Sequence, residues 1–363
     1  MDMHLAGYSL YTYRLPYLRP VQWSDTTEDA ASFLLLKITA DSGHAGVAEM
    51  TLKPTWTGAT LRVLAAAIGD ILMPELRKCD LSDIGKARAA LDRIPENQAA
   101  KAMIDNALWD LHAGLRGQPL WQLWGGRPVV ELSWAVTRQA PAEMAAEAAA
   151  EVERHGYATL KVKGGQGMDT DLRAMQEIRS AVGDGVSLYV DANGAYPPDA
   201  AAAYVDAMAG AGSRFVEDPC ALAPGRQFKA LQDSAQAPVL VDFNCRSPGD
   251  ARLFLESGAR ALSIKPGRYG LSDARDMAGQ AHRADARTVI GLFGESLLGT
   301  LAALQLASLQ PPAMLPAETS WFLAMNEQIV APALEIRDGK ARLPDAPGLA
   351  GLVDWGKVEK IHD

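Results

Sequence analysis

Cysteine and histidine are scarce in this chain, with three of the first and six of the second among 363 residues. Cys79, Cys220 and Cys245 cannot all pair, and their separations match no metal knuckle. That excludes a disulfide scaffold and leads to the expectation of a reduced, cytoplasmic setting. None of His4, His44, His112, His155, His282 and His362 falls at the end of a predicted strand, which speaks against zinc. Clusters of Lys and Arg are missing too, and the formal net charge of −9 disfavours nucleic acid as a partner. No Gly-x-Gly-x-x-Gly opens a helix, so a dinucleotide fold is not expected. Residues 1–16 lack the charged-then-apolar pattern of a leader, and no apolar run approaches a membrane span, so no membrane partner is expected. What is there is ordinary globular material, 48% hydrophobic and 22% charged, long enough for one large domain and a smaller one.

Residues 1–125 do not alternate strand and helix. Strands are predicted over 6–14, over 32–39 with Phe33-Leu34-Leu35-Leu36 at its centre, and over 45–50, joined by a turn at Asp41-Ser42-Gly43. Two irregular loops accompany this meander: 16–28, carrying Tyr17 and Trp23, and 51–57, carrying Trp56. Ala100, Met103, Ile104, Ala107, Leu108 and Leu111 recur at helical spacing and predict a helix over 97–115. From Val130 onward the pattern becomes strict alternation. Short apolar strands are predicted at 131–136, 159–163, 187–191, 214–217, 239–242, 261–265, 288–291 and 314–317, with helices such as 141–154, 169–182, 198–209 and 272–283 between them. Apolar strands each followed by a helix indicate a parallel sheet clothed in helices. Eight of them indicate closure into a barrel. The expected fold class is α/β, a TIM-type barrel over 126–320 with an α+β capping domain over 1–125. Residues 321–363 are expected to fold back on the cap.

Five consecutive predicted strands end in an ionisable residue. These are Lys163 (Leu-Lys-Val-Lys-Gly), Asp191 (Tyr-Val-Asp-Ala-Asn), Glu217 (Phe-Val-Glu-Asp-Pro), Asp242 (Leu-Val-Asp-Phe-Asn) and Lys265 (Ser-Ile-Lys-Pro-Gly). Corresponding positions on neighbouring barrel strands converge on the C-terminal mouth, where active sites of this fold lie. Three converging carboxylates repel unless a cation neutralises them, and hard oxygen ligands suit Mg²⁺ or Mn²⁺. Lys161 and Lys163 stand two apart on one strand and so face the same way. Repulsion between them is expected to lower the pKa of at least one, making a general base available near neutrality.

The ordered set Lys161-x-Lys163, Asp191, Glu217, Asp242, Lys265 resembles the enolase superfamily, and within it the muconate-lactonizing (muconate cycloisomerase) group of the mandelate racemase/muconate lactonizing enzyme family. Gly291-Leu-Phe-Gly-Glu295-Ser296 resembles that group's motif on the seventh strand. The resemblance spans nearly the whole chain. It implies a modified (β/α)₇β barrel with an α+β cap, a homo-oligomeric assembly and Mg²⁺ held by Asp191, Glu217 and Asp242. It also implies Lys163 and Lys265 as the acid/base pair on a small carboxylate substrate, Lys161 as its carboxylate binder and Glu295 at the rim. Trp56 and Trp321, with Trp23, are the candidate pocket walls. Asp242-Phe243-Asn244 departs from the group's usual run after the third ligand. The mandelate-racemase-type histidine on the seventh strand is missing. Pro316-Ala317-Glu318 stands where dipeptide epimerases carry Asp-x-Asp, which makes dipeptides a less expected substrate.

The implied chemistry is abstraction of the proton α to a carboxylate, giving a metal-stabilised enediolate. Its fate leaves open racemisation or epimerisation, cycloisomerisation, and elimination by an acid-sugar or hydroxy-acid dehydratase; an isomerase is the expectation. A Schiff-base aldolase using Lys163 or Lys265 leaves the three carboxylates without a purpose.

Overall fold

The computed structural model describes residues 3–24, 26–311 and 314–361. The chain opens with three antiparallel strands, β1 (Leu5–Gln22), β2 (Thr27–Ala40) and β3 (Ala45–Thr51). Phe33, Leu34, Leu35 and Leu36 on β2 are all fully buried. Alternation puts Leu34, Leu36 and Ile38 into the cap's own core with Met103 and Ile104 of the helix Gln98–Arg116. Phe33 and Leu35 turn the other way, into the large core shared with the barrel. A sheet covered on both faces needs an apolar run and not an apolar/polar alternation.

The predicted loop 16–28 is largely a continuation of the β1–β2 hairpin, paired at Val21↔Glu28 and Gln22↔Thr27, with an irregularity between Pro16 and Val21. Pro16 borders that irregularity and Pro20 lies within it, where a residue without an N–H interrupts no regular ladder. The predicted loop 51–57 contains a short helix, Pro54–Thr57.

A short β4 (Val129–Glu131) precedes the barrel strands β5 (Trp134–Val136), β6 (Thr159–Lys163), β7 (Ser187–Asp191), β8 (Ser213–Glu217), β9 (Val239–Val241), β10 (Ala261–Ile264) and β11 (Arg287–Ile290). These seven lie side by side in chain order and all pair in parallel. The predicted eighth strand at 314–317 is not a regular one. Leu315 and Glu318 donate to Thr288 and Ile290, Ala317 donates to Glu131 and Ser133 donates to Ala317, which closes the ring through a single bridge, Leu132↔Ala317. Pro316 has no N–H to give, so a full ladder cannot form there.

Period-two alternation then builds the site. Tyr189, Phe215 and Leu240 fill the barrel interior with Ala261 and Val289. Two residues further along the same faces stand Asp191, Glu217 and Asp242. The last strands are β12 (Ile336–Arg337), β13 (Lys340–Arg342) and β14 (Glu359–Lys360). β13 pairs with β4, and β14 adds to the free edge of β1 at Tyr11↔Lys360 and Thr12↔Glu359.

Candidate active site

The end of β6 is held rigidly. Asp171, in the helix Met168–Val182, accepts from the N–H groups of Gly165 (2.7 Å) and Gln166 (3.1 Å) and from the hydroxyls of Tyr196 (2.7 Å) and Tyr204 (2.8 Å). Glycine is required in this turn. A Cβ on Gly164 would lie 2.6 Å from the Tyr204 hydroxyl, and Gly165 takes φ +80°.

Lys161 and Lys163 both face the barrel interior, with different surroundings. Lys161 is 1% exposed, and its Nζ lies 2.7 Å from Glu217 Oε1, 3.0 Å from Asp191 Oδ2 and 3.1 Å from both oxygens of Glu318. Burial alone would lower its pKa, but Asp191, Glu217 and Glu318 outweigh burial and raise it well above the usual lysine value. The lowering expected from lysine–lysine repulsion is therefore not found at Lys161, because three carboxylates lie closer in effect than one ammonium. Lys163, nearer the mouth, donates to Asp191 Oδ2 at 2.6 Å. Across the barrel Lys265 donates to Asp242 Oδ2 at 2.5 Å, and Asp242 holds its pKa up against the opposing effect of burial.

Glu318, at the barrel's closing segment, was not legible as a site residue in the sequence. It takes Lys161, the Leu292 N–H (3.1 Å) and the Tyr189 hydroxyl. The signal available was its place as the next carboxylate in strand order. Asp218 is also buried, at φ +38°, and accepts from the Asp242 and Phe243 N–H groups at 3.1 and 2.7 Å, which orients the third carboxylate's turn. Burial, then Asp242 and Asp191, push its pKa up to about 7.

A cavity of about 250 Å³ opens over this network, lined by Lys163, Asn193, Asp242, Lys265 and Arg138 from the barrel and by Trp23, Trp56 and Phe293 above, among others. Trp56 reaches this lining, and Trp321 does not. Trp321 is 2% exposed and packed among Trp134 (5.5 Å between centroids), Trp23 (5.2 Å) and Tyr17 (6.0 Å), so it backs the wall instead of forming it. Glu295 is likewise buried off the cavity lining, not at the rim, where its Oε2 accepts from the Phe293 N–H. Its neighbour Ser296 caps the helix Leu297–Ala307 and bonds Glu49 of β3, tying cap to barrel.

Among the described residues, no three carboxylate, thiol or imidazole groups already converge as a ready metal cage. The lysines stand among the carboxylates instead. Two observations fit a further cation there. Glu217 Oε2 and Asp242 Oδ1 are buried without a hydrogen-bond partner. Asp191, Glu217, Asp242 and Glu318, with Asp218 beside them, are five buried carboxylates set around the ammonium groups of Lys161, Lys163 and Lys265, with Arg268 as a further cation acting on Asp242. The surplus falls on Glu217, whose pKa is pushed well above the carboxylate range by burial and by Asp191. Such a surplus is relieved by a proton or by a metal ion.

A barrel with lysines on β6 and beyond β10 and carboxylates at the ends of β7, β8 and after β9 defines an enolase-type site. Residues 143–356 match the model of the enolase C-terminal domain-like family and residues 10–125 that of the mandelate racemase/muconate lactonizing enzyme N-terminal domain. The chain belongs to that family, in the muconate-lactonizing group of the enolase superfamily, whose members are metal-dependent. A chloromuconate cycloisomerase of Cupriavidus necator is 28% identical over 98% of both chains. The L-Ala-D/L-Glu epimerase of Bacillus subtilis is 30% identical over 81% of this chain and 82% of that protein. Its solved substrate-liganded structure superposes with a TM-score of 0.88 at 27% identity, covering 95% of this chain and 98% of that one.

Proposed function

We propose that this protein is an isomerase that abstracts the proton α to the carboxylate of a small acid, using Lys163 and Lys265 as acid and base. One observation carries the reading: the two lysines line one cavity from β6 and from the end of β10, with three strands between them and Asp242 in the lining as well. A planar carbanionic substrate held there has one face toward each ammonium group. Asp242 keeps Lys265 charged, as a proton donor must be. Lys161 and Glu318 lie beneath and fix the electrostatic floor on which the substrate carboxylate rests. Asp191, Glu217 and Asp242 are the residues that would hold Mg²⁺, or Mn²⁺ in its place. When bound, the ion supplies the positive charge that offsets the second negative charge on the substrate carboxylate as the α-proton leaves. The protein's share is orientation: Asp171 and Asp218 hold the β6 and β9 ends in register, and Trp23 and Trp56 of the cap, with Phe293 beyond β11, exclude water.

Relatives at similar identity carry out cycloisomerisation and epimerisation by their names, so identity does not choose between the two. Pro316-Ala317-Glu318, with Glu318 engaged by Lys161, stands where dipeptide epimerases carry Asp-x-Asp, and this favours a non-peptide acid. The test is α-proton exchange in D₂O, followed by NMR across a library of small carboxylic acids. Exchange that stops in chelator and returns with Mg²⁺ is expected; full exchange in excess chelator would sink the metal assignment.

A further inference from the structure

Two cap loops meet above the cavity around one lysine. Lys53, just after β3, places its Nζ 4.0 Å from the Trp23 ring centroid and 4.3 Å from that of Trp56. The same Nζ lies 2.9 Å from Glu28 Oε2, and only 4% of the side chain is exposed. The two indoles stand nearly perpendicular, 5.2 Å apart, so both faces converge on one point. An ammonium enclosed by indole faces and a carboxylate is the arrangement by which proteins bind methylated ammonium ligands. Here the occupant belongs to the wall itself.

The position of this group gives it a use. Trp23 and Trp56 line the catalytic cavity on one side. On the other they border a second cavity of about 490 Å³, whose walls include Arg14, Tyr17, Glu28, Asp29 and Lys53. Trp23, Trp56 and the lysine between them are therefore a partition. Trp23 belongs to the hairpin tip after β1, and Trp56 to the short helix after β3, and the side chains of Trp23, Trp56 and Lys53 join the two.

We infer that Lys53 is a self-occupied ammonium site that sets specificity: its Nζ fills the box of Trp23, Trp56 and Glu28, fastens the two cap loops into one wall and bars a cationic substrate portion from the indole faces. This rests on the proposed function only in giving the cavity beneath to the substrate. Lys53 touches no reacting atom and is a positioning residue. Lys53→Ala empties the box while leaving two indoles and a carboxylate around it, so a small free ammonium ion should enter.

The test is titration with tetramethylammonium chloride, read by intrinsic tryptophan fluorescence, with sodium chloride as the ionic-strength control. Lys53→Ala should show saturable binding at least tenfold tighter than the wild type, weakened at least fivefold when Glu28→Gln is added. Lys53→Met, whose apolar stem still fills the box, should show none. Lys53→Arg should keep the wild-type unfolding midpoint, while Lys53→Met lowers it. A folded Lys53→Ala protein without a saturable signal, or a wild type that binds the ion as tightly, overturns the inference. If Lys53→Ala does not fold, equal midpoints for Lys53→Met and Lys53→Arg overturn it, because charge in the box would then be immaterial. Failure of the catalytic reading shows separately, as absence of α-proton exchange in the wild type, and leaves this titration untouched.

Discussion

Lys163 and Lys265 are each bound to one carboxylate, on opposite sides of the cavity, and this symmetry is what makes their roles separable. If each serves one face of the substrate, Lys163→Ala should stop α-proton exchange for one enantiomer and leave the other, and Lys265→Ala should do the reverse. Each loss should be about 10²- to 10⁴-fold, the usual contribution of a positioned general base. NMR of each enantiomer in D₂O reads this directly. In a one-base cycloisomerisation only one of the two variants abolishes exchange, and the other slows both directions alike. Persistence of both exchanges in the double variant would remove both lysines from the chemistry.

At the scale of elements, the site depends on how strand ends are fastened. Asp171 sits on the helix after β6 and takes four donors from the glycine turn and two tyrosines. Asp171→Ala leaves the buried Tyr204 hydroxyl and three partly buried donors without this acceptor, at about 1–3 kcal/mol for each group that water cannot reach. It should lower kcat by about 10²-fold through a displaced Lys163. Substrate KM should change less, and Asp171→Asn should recover part of the loss. Steady-state kinetics with a substrate found by the exchange screen, alongside urea unfolding, separates the two effects.

The strands that carry the ionisable residues were readable because each is short, apolar and closed by a charged residue. β6 and β7 lie where the pattern predicts them, at Thr159–Lys163 and Ser187–Asp191. Glu318 was not readable as a partner of Lys161, since 157 residues separate them and only barrel closure joins them. The arm 16–28 lacks a strand pattern of its own, and its pairing at Val21↔Glu28 and Gln22↔Thr27 comes from the hairpin that continues through it. Trp321 had the composition of a pocket residue. Its burial against Trp134 and Trp23 is a tertiary fact that periodicity does not encode.

At the scale of the molecule, cap and tail meet at Asp110. This buried carboxylate of the helix Gln98–Arg116 accepts from the Val47 N–H of β3 (2.9 Å) and from the Leu349 N–H of the returning tail (2.5 Å). Burial raises its pKa from 3.8 to about 7, against the opposing effect of those hydrogen bonds. A raised carboxyl pKa means that the folded state holds the proton more tightly than the unfolded chain. Its contribution to stability is therefore full below about pH 4 and is lost as pH rises to about 7. Wild type should lose stability relative to Asp110→Asn by on the order of 2–4 kcal/mol between pH 4 and pH 8. Urea unfolding of both proteins at the two pH values checks the sign; a wild type that gains on the variant with rising pH would contradict it.

The pairing of β14 with β1 joins residues that lie far apart along the chain. At ribosomal speeds of roughly 5–20 residues per second, Tyr11 and Thr12 wait on the order of 20–70 s for Glu359 and Lys360. During that wait the outer edge of the first strand presents unpaired backbone groups to its surroundings. The nascent cap is thus adhesive throughout that interval, and the strand that makes its edge inert emerges long after the edge itself.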